Sequence, residues 1–115
     1  MPAAAHLDDM SYYDLTWAAN VVTRAWQNLT DTLNAEGKTH WLEELKPFVA
    51  GGADALPNQE EAAERMGVPV ATLRTWIWRL RRRYRDVLRA AVASTVSDPA
   101  DVEDELRYLY RILMK

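Results

Sequence analysis

This sequence predicts an all-α fold, and three observations predict it. Apolar residues recur at spacings of three and four through four separate stretches, no segment alternates with strand period, and turn residues fall between the stretches. Residues 1–12 read as a disordered lead. A long first helix is predicted from near Tyr13 or Asp14, with Leu15, Ala18, Ala19, Val22, Ala25, Trp26, Leu29 and Leu33 on its apolar face, ending at Glu36-Gly37. A shorter helix is expected from about Thr39, with Trp41, Leu42, Leu45, Phe48 and Val49 apolar. Pro47 lies near its end, where a kink is tolerable, and Gly51-Gly52 closes it ahead of a small-residue, mobile loop to Pro57.

Gln59 to Leu80, QEEAAERMGVPVATLRTWIWRL, reads as a helix-turn-helix. Asn58, with Glu61 three residues on, forms a capping-box-like start. Ala62 and Ala63 are small enough for a second helix to cross closely. Gly67 sits where the chain needs a left-handed conformation, Val68 plugs the turn, and Pro69 suits the first turn of the next helix. Leu73, Trp76, Ile77 and Leu80 then form a buried stripe, and the helix continues to about Ala93. Ser97-Asp98-Pro99 separates it from a C-terminal extra helix, about Ala100 to Leu113, with Val102, Leu106, Leu109, Tyr110 and Leu113 as buried candidates. Residues 13–115 are thus expected to form one helical domain.

Composition narrows the function. The 115 residues are 49% hydrophobic, enough for a modest core. With no cysteine there is no disulfide framework, thiolate metal site or cysteine nucleophile. His6 and His40 are the only histidines, and they lie far apart without a ligand cluster, so no metal or other cofactor is expected. The acidic run Asp101, Glu103, Asp104, Glu105 suits a helix N-terminus, or a partner for preceding arginines, better than paired catalytic carboxylates. No phosphate loop or nucleophile–base pair can be named, and the chain is read as a non-enzyme. It has no apolar run of membrane-spanning length and no signal-peptide layout, which makes the cytoplasm the expected location.

The net charge of -3 hides a local asymmetry. From Arg74 to Arg89 there are seven arginines and one acid, Asp86. Val70, Ala71, Arg74, Thr75, Trp78, Arg81, Arg82 and Arg85 lie opposite the buried stripe. Such a helix fits the DNA major groove, with N-terminal residues meeting base edges and later arginines reaching phosphates. A solvated basic helix is the blander alternative. Trp76 is expected in the core, as are Trp17, Trp26 and Trp41. For Trp78, packing against another helix stands beside a thymine-methyl contact or an anchor for a partner protein. Arg74 either reads a base or pairs with a nearby acid such as Glu64.

From about Tyr13 onward the chain resembles region 4, the C-terminal helix-turn-helix domain, of extracytoplasmic-function-type factors in the sigma-70 family of bacterial RNA polymerase sigma factors. Three segments carry the resemblance: LKPFVAGG (Leu45 to Gly52), EEAAERMGVPVATLRTWIWRLRRRYRDVLRA, and VASTVSDPADVEDELRYLY (Val92 to Tyr110). It implies a transcription module that binds the minus-35 promoter element in double-stranded DNA and docks on the β flap of RNA polymerase core. An anti-sigma protein or a second copy of the chain are further partners in view. By position, Val70, Ala71, Arg74 and Thr75 would face the bases, while Arg79, Arg81, Arg82 and Arg85 would mostly serve phosphates or polymerase; Thr72 and Trp78 complete the candidate DNA-binding set. Two departures stand out. Trp76 and Trp78 occupy places where smaller residues are expected, and region 2, which melts the minus-10 element, has no counterpart in these residues. The chain is therefore expected to be an excised domain or a stand-alone protein rather than a complete initiation factor. A protein-interaction module without base reading is the alternative.

Overall fold

The structure, a computed structural model, describes residues 12–50 and 57–113. Within them lie five α-helices: α1 (Tyr12–Ala35), α2 (Thr39–Ala50), α3 (Gln59–Met66), α4 (Val70–Ala93) and α5 (Val102–Leu113). A single 3₁₀ turn, Pro99–Asp101, precedes α5, and there is no strand among the described residues. The fold is all-α. The expected lead, residues 1–12, lies outside the described residues except for Tyr12, which is the first residue of α1; the Gly51-Gly52 stop and the loop after it also lie outside the described residues.

The described residues divide into two compact units, one made of residues 12–27 with 86–113 and the other of residues 28–50 with 57–85, so that α1 and α4 each contribute to both. In the second unit the core is Leu29, Leu33, Leu42, Leu45, Phe48, Ala62, Ala63, Leu73, Ile77 and Leu80, all buried. Its two glycine turns are built alike. At the end of α1, Gly37 takes φ 76°, its N–H reaches Asn34 O at 3.0 Å, and Lys38 N–H reaches Leu33 O at 2.8 Å. At the end of α3, Gly67 takes φ 69°, its N–H reaches Glu64 O at 3.1 Å, and Val68 N–H reaches Ala63 O at 3.0 Å. Both are Schellman closures, in which a left-handed residue lets two amides turn back onto the last orphan carbonyls. Pro47 is accommodated inside α2, which continues to Ala50.

In the other unit Ala18, Val21, Ala25, Trp26, Leu88, Ala91, Val92, Leu106 and Leu109 are buried. Trp17 stacks on Tyr108 with centroids 6.2 Å apart and donates to Thr95 Oγ1 at 3.4 Å. The Tyr108 hydroxyl donates to Asp14 Oδ2 at 2.9 Å, and burial, followed by that bond, pushes its pKa up. Asp98 caps the 3₁₀ turn by accepting from Ala100 N–H at 3.0 Å, so the last segment begins as 3₁₀ and becomes α only at Val102. Glu103 pairs with Arg89, one of the roles expected of the acidic run.

Several expected core positions are corrected. Leu15, at 48% exposure, and Leu113, at 43%, are open to solvent. Ala19 is exposed too, while Val22, Val49, Val102 and Tyr110 are only partly buried. Of the tryptophans, Trp26 is buried, whereas Trp17, Trp41 and Trp76 are partly covered. Periodicity assigns a residue to a face, but only the stretch of that face met by an opposing element loses its water. At the ends of helices and at the flanks of a stripe that cover runs out.

Candidate nucleic-acid interface

The site is built on α3, the three-residue connection Gly67–Pro69, and the first four turns of α4. Asn58 Oδ1 accepts from Glu61 N–H at 3.1 Å and so starts α3. Ala62 and Ala63 are buried at 0% and 2%, so this helix presents almost no side-chain bulk to its neighbours. Pro69 precedes α4 instead of opening it: its carbonyl accepts from Leu73 N–H at 3.1 Å, so it acts as the cap. Leu73, Ile77 and Leu80 are 0–3% exposed and lock the rotation of α4 about its axis. With that rotation locked, the outward face is decided.

Eight of the ten expected contact residues are on that outward side. Ala71, Arg74, Thr75, Trp78, Arg79, Arg81, Arg82 and Arg85 are exposed; Val70 and Thr72 are partly buried. Ala71, Arg74, Trp78, Arg82 and Arg85 succeed one another at spacings of three and four, which makes them a single stripe. It carries no acid.

The arginines are not equivalent. Arg74 Nε donates to Gln59 Oε1 at 3.0 Å. The expected alternative, an ion pair with Glu64, is not formed; a neutral amide at the start of α3 holds the guanidinium, leaving its two terminal nitrogens without a partner among the described residues. Arg81 Nη2 donates to Phe48 O at 3.2 Å and so satisfies a carbonyl in the last turn of α2, one of the groups a helix end leaves orphaned. Arg82 places its guanidinium carbon 5.4 Å from the centre of the Trp78 ring, a cation–π contact. Arg79 and Arg85 have neither hydrogen bond nor ion pair among the described residues. Thr75 donates its hydroxyl back to Ala71 O at 3.2 Å, which leaves the oxygen lone pairs and the methyl to face outward.

Sequence reading passed over a second feature of this unit. Lys38, Trp41, Trp76, Arg79 and Arg83 line an open cleft of about 240 Å³. Trp41 and Trp76 meet at 6.3 Å with their planes 56° apart, and Lys38 lies 5.7 Å from the centre of the Trp41 ring. Arg83 is bound to Glu36 through both terminal nitrogens, at 3.1 and 3.0 Å, and Lys38 approaches the same carboxylate at 3.5 Å. The hydrogen bond from Arg83 holds the Glu36 carboxyl below its ordinary pKa, and the charges of Arg83 and Lys38 add to that. Spacing could suggest that Trp76 and Arg79 flank the stripe, but nothing in the sequence ties Arg83 to a residue 47 positions away.

Among the described residues no cluster of three or more His, Asp or Glu could hold a metal ion, and no helix is long and apolar enough to cross a membrane. Compared with known proteins, the chain matches no family, no curated protein and no solved structure.

Proposed function

We propose that the chain is a DNA-binding transcription module resembling sigma factor region 4, with α3 and α4 acting as a helix-turn-helix and α4 lying in the major groove. The observation that carries this reading is the arginine-rich stripe Ala71, Arg74, Trp78, Arg82, Arg85, held outward by the buried Leu73, Ile77 and Leu80 and reached through a short turn that begins at Gly67. Val70, Ala71, Thr72, Arg74 and Thr75 occupy the end that would meet base edges. Arg79, Arg82 and Arg85 supply charge for phosphates, while Arg81 braces α2. Arg74 suits guanine: with Nε fixed by Gln59, its terminal nitrogens are presented as a pair for O6 and N7. On this reading the partners are a minus-35-type promoter element and the β flap of RNA polymerase, and the setting is a bacterial cytoplasm.

The test is selection of binding sites from a random duplex pool with the parent and with Arg74→Ala. The variant should lose preference at one base pair, worth about 1–3 kcal/mol of discrimination, and keep nearly the same salt dependence. Recovery of the same motif by both would show that Arg74 reads nothing.

A second reading, a region 4-like module that binds a protein without reading DNA sequence, is favoured by the Trp41–Trp76 cleft, since tryptophan and arginine dominate protein interfaces. Its partner would be polymerase, an anti-sigma-type protein or a second copy. Mobility shifts at two salt concentrations separate the readings, because phosphate binding must weaken steeply as salt rises.

A further inference from the structure

Trp78 lies at the middle of the exposed stripe and keeps 57% of its surface in water, so packing in the core does not explain it. Its one ring contact among the described residues is the Arg82 guanidinium, 5.4 Å from the ring centre. Side chains on a helix lean toward its N-terminus. Arg82, one turn on, therefore covers Trp78 from the C-terminal side, and Trp78 extends over the turn that carries Arg74 and Thr75. The result is a broad apolar plate braced by a cation, with Arg74 before it, Arg85 beyond it and no acid between Arg74 and Arg85.

We propose that Trp78 reads thymine, its ring packing against the C5 methyl group in the major groove while Arg82 steadies the ring and faces a neighbouring phosphate. This rests on the DNA-binding reading above and adds a base identity to it. The charges select the occupant. A polyanion satisfies the guanidiniums around the plate, whereas an apolar protein surface would strip their water without replacing it. Among the four bases only thymine offers the major groove an apolar group. Trp78 thus complements Arg74: one residue takes a methyl, the other a pair of acceptors.

The experiment uses the full chain and the duplex recovered from the random pool. Each thymine is replaced in turn by deoxyuridine, which lacks only the methyl group, and affinity is measured by fluorescence anisotropy. One or two positions should weaken binding about fourfold, the value of one buried carbon unit, while the rest are indifferent. Trp78→Ala should bind the thymine and uracil duplexes equally with an unchanged salt slope. If the parent tolerates uracil at every position, or if Trp78→Ala stays fully sensitive to the methyl, thymine reading by Trp78 is overturned. Tolerance of uracil by the parent overturns the proposal without any variant having to fold. A pool that yields no motif would instead sink DNA reading itself, and this inference with it.

Discussion

Replacing arginines one at a time should divide α4 into residues that face phosphate and residues already engaged within the protein. Each phosphate neutralised on duplex DNA contributes about 0.9 to the slope of log affinity against log salt. Between 50 and 200 mM salt, roughly a fourfold rise, that is about 3.5-fold in affinity per contact. Arg82 and Arg85 share the exposed stripe and neither is ion-paired among the described residues. Together they should account for roughly twelvefold of the loss over that interval, and each alanine variant should flatten the slope by about 0.9. Arg83 is held by both oxygens of Glu36, and Arg81 is spent on the Phe48 carbonyl. Arg83→Ala and Arg81→Ala should leave the slope within error and lower the unfolding midpoint instead. Anisotropy titrations at four salt concentrations, with a melting curve for every variant, give both readouts. If Arg83→Ala flattens the slope as much as Arg85→Ala does, the Glu36 pair does not persist on DNA, and assigning roles from intramolecular partners is wrong.

Three further outcomes are expected. Leu80→Ala, at a site 0% exposed, should destabilise by about 3–5 kcal/mol, whereas Trp76→Ala, only partly buried, should cost roughly 2 kcal/mol; urea titrations that reverse this order would mean α4 is rotated from its assigned face. Gly67→Ala should cost about 1–2 kcal/mol from the left-handed backbone alone, since a Cβ there meets no atom within 4 Å, and an unchanged denaturation midpoint would contradict that conformation. Glu36 should titrate below 4.5 by NMR and move up in Arg83→Ala. Because the folded pKa is the lowered one, the stability this pair provides is present above 4.5 and is lost as pH falls through the folded value.

What could be read from the sequence was local. Helices α1 to α5 begin and end within a residue or two of where periodicity and turn chemistry put them, because a Gly at φ 69° or an Asn that caps its own helix acts over four or five residues. The outward direction of Arg74, Trp78, Arg82 and Arg85 was legible for the same reason: once Leu73, Ile77 and Leu80 are inside, a 3.6-residue period leaves no other place for them. The tertiary structure alone decided which of these cations have partners. Gln59 meets Arg74 across 15 positions, Phe48 meets Arg81 across 33, and Glu36 meets Arg83 across 47. Each depends on how one helix is rotated against another, which leaves no trace in local spacing. The same holds for the tryptophans. All five are equally apolar in the sequence, yet only the helices arriving opposite them separate Trp26, 8% exposed in a core, from Trp78, 57% exposed on the basic stripe.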